Sequence, residues 1–98
     1  MDKRVKILAV CGMGVGTSMI LKLQIQKALN ELNTNADIDI ADIGTARGLA
    51  MSADLIVTTK DLAERLGDVK PPILIVNNFM DLTSITNGIS EKLNIKRD

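Results

Sequence analysis

The sequence predicts an α/β domain: a small doubly wound sheet of four parallel strands in the order 2-1-3-4, with helices on both faces. Three observations predict it. Short apolar runs of strand length alternate along the chain with stretches of helical periodicity. Two of those runs, Val5 to Val10 and Leu55 to Val57, are apolar almost throughout, the pattern of a parallel strand covered on both faces. A glycine-rich segment, Cys11-Gly12-Met13-Gly14-Val15-Gly16-Thr17-Ser18, follows directly on the first run, where a doubly wound sheet places its ligand loop.

In chain order, Val5 to Val10 is the first strand. Ser18 to Leu32 reads as an amphipathic helix, with Leu21, Ile25, Ala28 and Leu32 at helical spacing and Lys22, Gln26, Lys27 and Glu31 elsewhere. Asn33-Thr34-Asn35 is a turn. Ala36 to Ala41 alternates Ile38 and Ile40 with Asp37 and Asp39, which suits an edge strand with one wet face. Thr45 to Met51 is a short helix weakened by Gly48. Leu55 to Val57 is the third strand. Thr59 is placed to cap a helix over Asp61 to Leu66, and Gly67 to stop it. Lys70-Pro71-Pro72 leads into a fourth strand, Ile73 to Val76. Asp81 to Leu93 closes the pattern as a helix with the stripe Leu82, Ile85, Ile89 and Leu93. Right-handed crossovers join such strands into a Rossmann-like or phosphatase-like sheet. Its carboxyl edge then collects the glycine loop, Asp42 to Gly44, Thr58 to Asp61 and Asn77 to Met80.

Composition narrows the function. The 98 residues are 46% apolar, enough for one aliphatic core, and the expected organisation is a single domain over residues 1–98. Twelve basic and twelve acidic residues cancel, the cations are scattered, and Phe79 is the single aromatic, so there is neither a basic stripe nor a stacking platform for nucleic acid. No apolar run is long enough for a signal peptide or a membrane span, and the lone cysteine forms no internal disulfide; a cytoplasmic location is expected. The chain has no histidine, so a zinc site and Cys-His catalysis within the chain are not expected, and no metal or cofactor is called for.

Three kinds of glycine loop compete for residues 11–18. A nucleotide-binding loop needs a lysine where Thr17 stands, and Cys11 occupies the place of its first glycine. A dinucleotide fingerprint needs one more residue than Gly12-Met13-Gly14-Val15-Gly16 provides, although Asp42 could stand for its ribose acid. The third kind is a cysteine phosphate loop. Gly12, Gly14 and Gly16 let the backbone curl so that amides point inward, and Thr17 and Ser18 add hydroxyls and begin the helix. A helix start stabilises anions and eases ionisation of a thiol, so Cys11 becomes an attacking atom at the rim of an anion cradle. A phosphatase of this design carries an arginine six residues after its cysteine; position 17 is threonine, which favours transfer over hydrolysis. Met13 and Val15 at the loop tip would form an apolar docking rim or pack onto neighbouring loops. Lys60 and Arg47 are candidate electrostatic helpers, and Asn77, Asn78 and Phe79 candidate contacts to the loop or a partner, against ordinary solvated and turn roles. Asp37 and Asp39 read as a solvated strand face.

The stretch Ile7 to Met19 resembles the phosphocysteine loop of enzyme IIB components of the bacterial sugar phosphotransferase system (PTS), with the ascorbate-type branch nearest and the lactose/cellobiose and galactitol types more distant. The resemblance implies a phosphotransferase component in which Cys11 takes a phosphoryl group from a phosphohistidine on a IIA partner and passes it to a sugar bound by a membrane IIC component. Residues Gly12, Met13, Gly14, Val15, Gly16, Thr17 and Ser18 would bind the phosphoryl oxygens. Two alternatives stay open: a small cysteine phosphatase, and a non-catalytic interaction module of the same fold.

Overall fold

Strands and helices alternate along the whole described chain. The computed structural model describes residues 5–12 and 15–94, the side chains of 15–18 excepted. The elements are β1 (Val5–Val10), α1 (Val15–Glu31), β2 (Ala36–Ala41), α2 (Ile43–Ala50), β3 (Leu55–Thr58), α3 (Lys60–Leu66), β4 (Ile73–Ile75) and α4 (Leu82–Leu93). All strand pairings are parallel, in the expected order β2-β1-β3-β4.

The period of two along the central strands sorts their side chains into two apolar layers. Ile7 and Ala9 of β1, with Leu55 and Val57 of β3, meet Leu21, Ile25 and Leu29 of α1 and Ile85 and Ile89 of α4. Leu8, Val10 and Ile56 meet Ala46 and Ala50 of α2 and Leu62 and Leu66 of α3 on the other face. Because both faces are covered, no position from Leu55 to Thr58 is free to be polar without a buried partner. On edge strand β2 the layer reaches Ile38 and stops short of Ile40, which is 38% exposed, so that isoleucine stands outside the core its alternation assigned it to. Gly88 marks a close approach of α4 to the sheet: an added Cβ would overlap the Leu74 side chain.

Helix starts differ most from the sequence expectation. α2 runs Ile43–Ala50 instead of Thr45 to Met51, because Asp42 caps it: Oδ1 accepts from the Thr45 N–H and from Thr45 Oγ1, both at 2.9 Å. α4 begins at Leu82 with Asp81 as its cap, Oδ1 accepting from the Ser84 N–H at 3.1 Å and Oδ2 from Ser84 Oγ at 2.9 Å. Thr59 precedes α3 as expected but makes no side-chain capping bond, while Gly67 ends α3 with φ 67°. Asn33 supplies the turn after α1 with φ 53°. β3 is one residue longer than expected, since Thr58 pairs with Ile75, and β4 stops at Ile75.

The two caps give a pH dependence. Donation from the Thr45 and Ser84 backbones, then their hydroxyls, holds the Asp42 and Asp81 carboxyls below the usual carboxylate range. A carboxyl lowered in the folded state adds stability that is complete above its unfolded pKa, about 3.9, and lost as pH falls through the lower folded value. An Asp42→Asn/Asp81→Asn variant is therefore expected to show a flatter melting temperature than the parent between about pH 5 and pH 2, measured by thermal circular dichroism. Equal pH slopes for the two proteins would contradict this.

Candidate active site

Cys11 leaves the central strand at its carboxyl end. Its N–H donates to the Ala41 carbonyl at 3.2 Å, which extends the β1–β2 pairing one residue past β1. It therefore stays in phase with Ile7 and Ala9 and joins their layer. At 7% exposure it lies on the floor of a cleft of about 230 Å³, and the expected rim position is corrected. The walls are Gly12, Thr59, Asp61, Leu62, Arg65 and Phe79.

α1 begins at Val15, three residues before the expected Ser18. Gly16 is a poor helix former, yet it is tolerated here because a first turn has few intrahelical bonds to lose. The consequence is chemical. The amides of Val15, Gly16 and Thr17 belong to a first turn whose N–H groups lack intrahelical acceptors, and no acidic side chain in that turn answers the positive end of the helix. Ser18 is the fourth residue of α1. The Met13 and Gly14 assignments lie outside the described residues, as do the Thr17 and Ser18 hydroxyls and the side chain of Val15. Gly12 does not have positive φ, and an added Cβ would stand 3.4 Å from Leu62 Cδ2, an ordinary contact, so neither the φ nor the space at this position calls for glycine.

The remaining candidates separate. Phe79 lines the cleft, and its carbonyl accepts from Gln24 Nε2 at 2.8 Å, which ties the loop after β4 to α1 through a buried glutamine. Asn78 Oδ1 accepts from the Met80 N–H at 2.9 Å, a turn role, and Asn77 is exposed. Arg47 is not at the cleft: its guanidinium donates to the Arg65 carbonyl at 2.8 Å and lines a second hollow with Met51, Asp68 and Lys70. Lys60 is exposed and does not line the cleft. Asp42 is committed to its cap, and Asp37 and Asp39 are exposed on β2.

Arg65 is the cation that lines the cleft among the described residues, and the sequence reading missed it. Asp61 and Arg65 stand four apart on α3, on one side of the helix, with Leu62 buried beside them. Projecting α3 from the Thr58 to Asp61 corner would have found it. Among the described residues no group of three His, Cys, Asp or Glu side chains could hold a metal, and no helix is long and apolar enough to cross a membrane.

A doubly wound sheet with a lone cysteine and a helix start at its switch point defines a class of small phosphoryl-handling proteins. Residues 6–91 match the family model described as the lactose/cellobiose-specific IIB subunit of the PTS, and the chain belongs to that family. Over 93 residues it is 33% identical to a Mycoplasma pneumoniae protein described as the ascorbate-specific PTS EIIB component, covering 94% of this chain and 98% of that one. The fold is shared with the lactose-specific IIB domain of Streptococcus pneumoniae at TM-score 0.59 and 23% identity, covering 97% of this chain and all of that one. It is also shared with the cellobiose-specific IIB protein of Borrelia burgdorferi at TM-score 0.56 and 20% identity, over the full length of both. The chain is thus a IIB component of a sugar phosphotransferase system, and phosphotransfer is its chemistry.

Proposed function

We propose that Cys11 is the phosphoryl carrier of this IIB component. The observation that carries the reading is the position of Cys11 on the floor of a cleft, at the carboxyl end of the central strand and four residues before the start of α1. The thiolate attacks the phosphorus of a phosphohistidine on a IIA partner; an S–P bond forms, the N–P bond breaks, and the imidazole takes up a proton. A hydroxyl oxygen of the sugar held by a membrane IIC component then attacks phosphorus. The O–P bond forms, the S–P bond breaks, the hydroxyl proton is released, and the thiolate returns. The donor imidazole belongs to the partner, since this chain has no histidine.

The incoming group brings nearly two negative charges and three acceptor oxygens. Backbone amides from Gly12 to Ser18 and the Thr17 and Ser18 hydroxyls are assigned to hold them, without a metal. Transfer of this kind is mostly positioning and electrostatics. The exposed Met19, Ile20, Leu23 and Met80 give the partners apolar surface on α1 and the loop after β4. The protein acts at the cytoplasmic face of the membrane, and ascorbate is the first sugar to test, given the Mycoplasma pneumoniae relative.

The test mixes the protein with phosphoenolpyruvate, the general phosphotransferase enzymes and a candidate IIA. Intact mass is expected to rise by one phosphoryl group, mapped to Cys11. Arg65→Ala is expected to slow uptake about tenfold, ~1.4 kcal/mol of transition-state stabilisation, with Arg65→Lys intermediate; equal rates would remove Arg65 from the site. Arg65 and Asp61 beside the cysteine are also the observation that favours a phosphatase reading. Sustained release of phosphate from an aryl phosphate would support it.

A further inference from the structure

The peptide group that delivers Cys11 to the cleft is held from both neighbouring strands. Its N–H, on Cys11, donates to the Ala41 carbonyl at 3.2 Å on the β2 side. Its carbonyl, on Val10, accepts from Thr58 Oγ1 at 2.9 Å on the β3 side. The β1–β3 register ends at Ala9 and Val57, so this hydroxyl continues the attachment where the backbone pairing stops. Thr58 is 0% exposed and ends a strand that is otherwise Leu55, Ile56 and Val57. Its own carbonyl accepts from the Val76 N–H at 2.8 Å, which anchors it to the chain beyond β4. A valine of the same shape would complete the apolar run, so packing alone does not call for the hydroxyl.

We infer that Thr58 is a positioning residue for the Cys11 nucleophile. Its side chain fixes the plane of the Val10–Cys11 peptide, and that plane sets the direction in which Cys11 leaves the backbone toward the cleft and the start of α1. The hydroxyl touches no substrate; it acts through the strand end. The inference rests on reading Cys11 as the carrier. Small displacements of a reacting group are costly, about a hundredfold in rate for 1 Å.

The test compares Thr58→Val, which keeps shape and removes the donor, with Thr58→Ser, which keeps the donor. Thr58→Val is expected to accept the phosphoryl group from saturating phosphorylated IIA at least about tenfold more slowly than the parent, and Thr58→Ser within about threefold of it. Alkylation of Cys11 by iodoacetamide across pH gives a second readout: the thiol of Thr58→Val titrates at higher pH than the parent, and that of Thr58→Ser with the parent. Parent-like behaviour of Thr58→Val in both assays overturns the inference, and so does equal impairment of the two variants, which would show that keeping the donor does not keep the function. If the parent itself takes up no phosphoryl group, the carrier reading falls and the alkylation profiles alone decide on Thr58. If Thr58→Val does not fold, the Thr58 hydroxyl proton of the parent decides by NMR: one exchanging slowly with water supports its bond to the Val10 carbonyl, and one exchanging freely overturns it.

Discussion

Cys11→Ser is expected to abolish phosphoryl uptake, by at least about a thousandfold, while the melting temperature stays within about 5 °C of the parent. A factor of a thousand is ~4 kcal/mol in the barrier. The reason is ionisation. The thiolate is the attacking form of a cysteine, and an ordinary thiol, with a pKa of about 8.5, supplies a small fraction of it near neutral pH. A serine hydroxyl has no such fraction and needs a base; the chain contains no histidine to serve as one. Any phosphoserine that did form would be a poorer donor to the sugar, because oxygen leaves phosphorus less readily than sulfur. Stability is little affected because the change replaces one atom by a smaller one at a residue that borders the cleft. The measurement is intact mass after incubation with phosphorylated IIA, beside a melting curve. Uptake by the serine variant at the parental rate would move the acceptor elsewhere. Restoration of sugar uptake in cells by the serine variant would leave only the interaction-module reading.

The candidate site was legible in the sequence as far as local chemistry reaches. Val5 to Val10 could be read because a strand buried on both faces has no polar alternation to blur it, and Cys11 because the chain must turn where that run ends. The start of α1 was not legible. Gly16 argues against helix on propensity alone, but propensity is a weak prior and the first turn has little to lose by it. Asp42 reads as a ligand acid from its place after the second strand, although Thr45, three residues on, is the partner a cap requires. Phe79 could be placed at the carboxyl edge from its position after the fourth strand, but Arg65 was harder: it reaches the cleft from within α3, far from Cys11 in sequence, and only the stacking of that helix against the carboxyl edge brings it there. Thr58 could be placed at the carboxyl edge, but the use of its hydroxyl depends on a carbonyl of the neighbouring strand. Residue type thus points to a candidate nucleophile, and tertiary placement decides what surrounds it.

Ile85→Ala carries the largest expected cost to the fold, and its effects should be the reverse of those of Cys11→Ser. Ile85 is 0% exposed, one turn into α4, and belongs to the layer formed with Leu21, Ile25, Leu55 and Val57. Truncation removes three carbons from a closed interior, and the helices flanking the gap are tied down: α4 by its Asp81 cap and α1 by the Gln24–Phe79 bond. Collapse into the space is therefore limited, and the cost is expected near 3–4 kcal/mol, within the range of about 2–5 for such changes. A domain of this size has about 5–15 kcal/mol in total and loses about 4–8 °C per kcal/mol. The melting temperature should fall by about 15–25 °C, read by calorimetry, with the urea midpoint falling in parallel and its slope unchanged. Below the transition, phosphoryl uptake by the folded fraction should stay within about threefold of the parent, because Ile85 does not line the cleft and takes no part in the hydrogen bonds that hold the Val10–Cys11 peptide. A loss below about 1 kcal/mol would mean that α4 is free to settle onto the sheet, and that the apolar layer beneath the site is looser than its burial indicates.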